Sequence, residues 1–161
     1  MLDAVDRTAP DLFARILEFE RAGERVVLTG EHWTAFVPFA ARWPLEVHML
    51  PHRHVADFAG TTEAERDELA TAYLRLLRGI DAIYAEPGGP PSPTPYIAAW
   101  HQAPVRVGRD TFRMHLQLTS PRRAADKLKY LAGSEAAMGA WVGDVPPEVA
   151  ADTIRKAIER A

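Results

Sequence analysis

The sequence predicts an α+β fold, an antiparallel sheet with helices packed on it. Two observations predict it. Segments with two-residue alternation of apolar and polar side chains cluster together instead of alternating one for one with helices. The connections between them are short, which suits hairpins and meanders better than parallel crossovers.

The elements follow in order. An apolar stripe of Leu12, Phe13, Ile16 and Phe19 predicts a first helix, with Thr8 or Asp11 as its cap and Ala22-Gly23 as its end. Three strands are expected next: 26–28, 32–39 and 46–50, the last stopped by Pro51. Thr62 and Glu65 form a capping-box pattern at the head of a long helix to about Ala85. Its stripe is Leu69, Tyr73, Leu76 and Ile80, widened by Leu77 and Ile83. Residues 86–95 hold five of the thirteen prolines and predict an exposed loop inside one domain, 1–161.

Two more strands follow, 96–100 and 112–118. In the second, Phe112, Met114, Leu116 and Leu118 take one face, and Arg113, His115, Gln117 and Thr119 the other. A short helix is expected from Ser120-Pro121 to Gly133, then a last one from Pro146-Pro147. Val149, Thr153 or Ile154, Ala157 and Ile158 form its apolar face.

Composition narrows the function. A net charge of −3 argues against broad electrostatic binding to nucleic acid or membrane. The absence of cysteine excludes disulfides and thiol nucleophiles. The first ten residues lack the apolar core of a signal peptide, and no window approaches the roughly 18 apolar residues of a membrane helix. A cytoplasmic protein is the expectation.

Candidate chemistry starts with His115 and Gln117, two residues apart and so on one side of a strand. If the strand ending at His101 pairs with theirs, the two imidazoles converge. Two imidazoles and a carboxamide are ligands for zinc or iron, and the plain alternative is imidazoles bonded to backbone. Arg122 and Arg123, in the first turn of the expected helix, suggest an anion site or a merely solvated basic face. Gly133 reads as a helix stop with Ser134 and Glu135 free beyond it. His48, His52 and His54 fit no ligand spacing and read as surface or packing residues. Trp33, Trp43 and Trp100 read as core or pocket walls.

These residues sit in a familiar pattern. Residues 31–47 (EHWTAFVPFAARWPLEV) and 50–55 (LPHRHV) resemble the opening of the second half of galactose-1-phosphate uridylyltransferases. Trp100-His101-Gln102-Ala103-Pro104, Met114-His115-Leu116-Gln117 and Lys129-Tyr130-Leu131-Ala132-Gly133-Ser134-Glu135 follow in the family's order. The resemblance covers about residues 20 to 155.

The resemblance implies a histidine-triad-like fold and an enzyme of two similar halves that works as a dimer. Such enzymes move a uridylyl group from UDP-glucose to galactose 1-phosphate through a covalent uridylyl-histidine. The nucleophile belongs to a His-Pro-His segment of the first half, which this chain lacks, so no catalytic residue is expected here. The resemblance carries His101 and His115 to a second, often iron-occupied, metal site. Gln117 stands where many members have a third histidine, and a glutamate from the first half helps hold that metal. It carries Lys129, Tyr130, Ser134 and Glu135 to contacts with the sugar nucleotide or hexose phosphate, with Ser134 in place of a common tyrosine.

The expected function is thus a C-terminal half that joins an N-terminal half, encoded separately or lost by shortening. Two rivals remain: a non-catalytic interaction module, and a stand-alone histidine-triad hydrolase using His115. A half-enzyme predicts an exposed apolar patch for docking.

Overall fold

A computed structural model describes residues 11–161 except 87, 88 and 91. The Thr8 cap and part of the proline loop fall outside the described residues. The elements are α1 (Leu12–Arg21), β1 (Val26–Thr29), β2 (Trp33–Phe36), β3 (Leu45–Pro51), α2 (Glu63–Ala82), β4 (Ile97–His101), β5 (His115–Ser120), β6 (Arg122–Ala124), β7 (Lys127–Leu128), α3 (Gly133–Met138) and α4 (Pro147–Arg160). Five strands form one antiparallel sheet in the order β1-β2-β3-β5-β4.

One sheet face makes the main core. Trp33, Ala35, Val47, Met49, Leu116 and Leu118 pack there against Leu69, Leu76 and Ile80 of α2 and Ala151 and Ile154 of α4. The two helices approach closely at Gly79, where a Cβ would lie 2.2 Å from Ile158 Cγ1.

The other face is partly covered by α1, through Leu17 on Phe36 and Leu50. The helices therefore do not all share one side. This explains why every residue of β2 is buried: both faces of that strand have a cover. Phe19, expected on the buried stripe of α1, is instead 68% exposed and lies against the Arg25 guanidinium. Asp11 caps α1 by accepting the Ala14 N–H at 3.1 Å. Its φ of 39° is uncommon for a residue with a side chain, and the Arg113 guanidinium holds it there at 2.7 Å.

The capping box on α2 is present: Glu65 N–H donates to Thr62 Oγ1, and Thr62 N–H donates to Glu65 Oε2 at 2.7 Å. Arg53 also pairs with Glu65 at 2.8 Å. The Arg53 guanidinium and these hydrogen bonds outweigh burial and hold the Glu65 carboxyl at about 2, against 4.5 for a free glutamate. Solvent around half-exposed Arg53 screens the pair, leaving about 1 kcal/mol. A depressed carboxyl stabilises the fold above its unfolded pKa, and that contribution is lost as pH falls from 4.5 towards 2. Glu65→Gln is expected to lower the melting temperature at pH 7 and to narrow its gap from the parent at pH 3.

The expected helix after Ser120 is not one. Residues 122–128 form the β6–β7 hairpin, and the helix starts only at Gly133. The reason is Arg122, which is 6% exposed and cannot point to water as the first turn of a surface helix would require. Its guanidinium donates to Ser92 O, Pro93 O, Thr94 Oγ1, Ser92 Oγ and Ala125 O at 2.7–3.1 Å. Gly133 therefore opens α3 instead of ending a helix. Gly139, with φ 64°, ends it by donating to Glu135 O.

Candidate functional site

The antiparallel register of β4 and β5 places His101 directly opposite His115. Their rings stack at 4.8 Å between centroids and 16° apart. His115 is 3% exposed and walled by Phe13 at 4.4 Å and Phe112 at 5.6 Å. Burial pushes its pKa down, partly offset by its hydrogen bond to Arg113 O, so the ring is neutral at pH 7. Nδ1 lies 3.0 Å from that carbonyl and must carry the proton. Nε2 then has a free lone pair, and the Gln117 amide nitrogen faces it at 3.5 Å. His101 Nε2 is buried without a hydrogen-bond partner.

The polar row continues into β3, where His48 sits opposite Gln117. Among the described residues, no three His, Asp or Glu side chains gather closely enough to hold a metal ion. One imidazole nitrogen has no partner, the other faces an amide, and a carboxamide is a weak third ligand. Among the described residues, this chain's own side chains therefore fall short of a metal site. Gln117→His would add a third imidazole to the row. Its expected effect is to tighten cobalt(II) binding at least about tenfold, read from visible absorbance on titration. An unchanged titration would show that the row lacks the spacing of a metal site.

The second group of candidates lies at the far end of β5. Lys129 N–H donates to Pro121 O, so about 20 Å of strand separates it from His115. Lys129 and Glu135 meet at 2.6 Å with side chains 10% and 1% exposed. The ammonium also donates to Arg42 O at 2.8 Å and Val142 O at 2.9 Å, which occupies its three protons. Glu135 accepts the N–H groups of Ala132 and Val142 at 2.7 and 3.0 Å. Lys129 first, then these two backbone donors, hold its carboxyl at about 2. Tyr130 is 87% exposed and Ser134 half-buried. Residues 121–145 thus form an arm folded around the buried Lys129–Glu135 pair. Arg122 is consumed in structure, and Arg123 pairs with Asp144.

Sequence reasoning missed what holds this arm. Trp43 and Trp141 lie 5.7 Å apart with their rings inclined by 57°, and the Lys129 ammonium lies 5.9 and 5.7 Å from their ring centres. Trp43 was legible only as a wall. The one further signal was Glu46, a carboxylate set in a strand with Leu45, Val47, Met49 and Leu50. Of the set-aside histidines, His52 bonds Thr34 Oγ1 at 2.8 Å and His48 bonds Glu46 at 3.2 Å, while His54 Nε2 is buried without a partner.

Residues 10–160 fit the family model of the galactose-1-phosphate uridyl transferase C-terminal domain. A galactose-1-phosphate uridylyltransferase of Streptomyces lividans is 46% identical, aligned over 91% of this chain and 42% of the relative. A solved uridylyltransferase structure superposes with a TM-score of 0.84 at 32% identity, over 96% of this chain and 47% of that one. A zinc-bound histidine triad family protein from Mycobacterium smegmatis shares the fold, with a TM-score of 0.57 at 16% identity over 93% of this chain and 94% of that one. The chain spans under half the length of the uridylyltransferases it matches. The sheet order, the paired histidines and the arm occur within a match from residue 10 to residue 160, and the chain belongs to the C-terminal domain family of galactose-1-phosphate uridylyltransferases.

Proposed function

We propose that this chain works as the C-terminal half of a UDP-glucose–hexose-1-phosphate uridylyltransferase. The family match across residues 10–160 carries the proposal. In it, an imidazole of the N-terminal half attacks the α-phosphorus of UDP-glucose and releases glucose 1-phosphate. A phosphate oxygen of galactose 1-phosphate then attacks the uridylyl-histidine, giving UDP-galactose and the free imidazole. This chain supplies the hexose-phosphate side, through positioning and charge rather than a covalent step. Tyr130 and Ser134 offer hydroxyls at the surface of the arm. Lys129 exchanges its Glu135 contact for the phosphate, and Glu135 then accepts from sugar hydroxyls.

The proposed docking surface is the outer edge of β4, which has no further strand beyond it among the described residues. Tyr96 and Ile97 are 44% and 70% exposed there, and Val105 and Val107 in the following loop are 84% and 65% exposed. An open apolar edge of this kind needs a cover. The N-terminal half is the proposed cover.

A stand-alone hydrolase using His115 is disfavoured. That ring is 3% exposed, walled by two phenylalanines, tied at Nδ1 and faced by Gln117 at Nε2, which hinders in-line approach of a phosphorus atom. Association tests the proposal. Mixed with the N-terminal half of a uridylyltransferase, the chain is expected to sediment as a complex, and Ile97→Glu to weaken that complex at least about tenfold. Two species sedimenting separately would count against the half-enzyme and for an interaction module with another partner.

A further inference from the structure

Glu46 is a carboxylate 2% exposed on β3, and a buried charge is costly unless its oxygens are all engaged. One oxygen, Oε2, accepts the backbone N–H groups of Arg42 and Trp43 at 2.7 and 3.2 Å. The other, Oε1, takes His48 Nε2 at 3.2 Å and faces the Arg42 guanidinium at 3.9 Å. Glu46 therefore fixes the backbone at residues 42 and 43 from inside the sheet.

Those two residues carry the Lys129 ammonium. Arg42 O accepts from it at 2.8 Å, and the Trp43 ring lies 5.9 Å away. The Arg42 guanidinium meanwhile sits 5.6 Å from the Trp141 ring, whose centre lies 5.7 Å from the Lys129 ammonium, on the same side as Trp43. The loop before β3 thus touches the arm through a carbonyl, an aromatic face and a guanidinium, and one buried carboxylate orders all three.

We propose that Glu46 is a positioning residue for the arm, setting the place of Lys129 through Arg42 and Trp43. The role in catalysis rests on the reading of the arm as the hexose-phosphate side. Glu46 touches no substrate in this scheme. Its effect is to hold the lysine's acceptor and aromatic neighbours where a phosphate oxygen can replace Glu135.

Glu46→Gln tests this, because glutamine keeps the shape and one acceptor oxygen but loses the charge. Val47→Ala, a core change on the other face of β3, serves as the stability control. Trypsin cleavage after Lys127 and Lys129, measured well below both melting temperatures, is expected to speed up at least about tenfold in Glu46→Gln and hardly at all in Val47→Ala. The near-ultraviolet circular dichroism of the tryptophans is expected to weaken only in Glu46→Gln. Mixed with an N-terminal half, Glu46→Gln is expected to raise KM for galactose 1-phosphate about tenfold with little change in kcat. Equal cleavage and unchanged tryptophan signals in the two variants would overturn the proposal. If Glu46→Gln fails to fold, Glu46→Asp takes its place, since the shorter carboxylate loses its reach to the Arg42 and Trp43 N–H groups while both tryptophans remain, with the same contrast expected. If the parent mixture transfers no uridylyl group, the hexose-phosphate reading falls, and the cleavage contrast still decides the anchoring.

Discussion

Arg122→Ala is expected to lower stability by about 3 kcal/mol and to loosen the arm. The side chain makes five hydrogen bonds from a site 6% exposed, four of them to residues 92–94. Its guanidinium also lies 4.8 Å from the Tyr84 ring. Alanine leaves the carbonyls of Ser92, Pro93 and Ala125 without this donor, and a buried acceptor left unpaired costs more than an average hydrogen bond contributes. The hairpin that starts the arm then loses its tie to the proline loop. Urea unfolding followed by circular dichroism checks the magnitude. A loss under about 1 kcal/mol would mean that water replaces the guanidinium without penalty.

Leu116→Ala is expected to cost a similar amount for a different reason. Leu116 is fully buried on β5, paired with Met49 of β3 and Trp100 of β4. Truncation there removes buried methyl groups and leaves a cavity that neighbouring strands cannot close, for about 3 kcal/mol. That is a large share of a typical domain's stability and corresponds to a fall of roughly 10 °C in melting temperature. Because β5 also carries His115 and Gln117 on its other face, the His101–His115 stack is expected to loosen with it. Calorimetry checks the first effect, and the histidine ring proton resonances check the second.

What was legible in the sequence follows the range of the forces involved. The alternation of Met114, Leu116 and Leu118 with His115 and Gln117 is local and located β5, whereas the pairing that brings His101 to His115 entered only as a condition, which the register meets. The capping box at Thr62 and Glu65 is also local and was legible as written. Arg122 was not, because its burial depends on acceptors about thirty residues earlier in the proline loop. An arginine pair after a proline looks the same on a wet helix as in a buried hairpin. The cover of α1 on the second sheet face was hidden likewise, since Phe36 and Leu50 look like ordinary alternation until a helix is placed over them.

The site shows the same division. Spacing alone pointed to His101 and His115, while Lys129, Tyr130, Ser134 and Glu135 came from the resemblance. Neither indicated that Lys129 and Glu135 close on each other. That contact depends on the Ala132 and Val142 N–H groups converging on one carboxylate, a geometry made by the chain reversal at Gly139.

The most direct measurement is uridylyl transfer from UDP-glucose to galactose 1-phosphate in three samples: this chain, a uridylyltransferase N-terminal half carrying His-Pro-His, and the two mixed. Turnover is expected only in the mixture, saturating as this chain approaches equimolar amounts. Equal turnover by the N-terminal half alone, or none in a mixture shown to form a complex, would contradict the account.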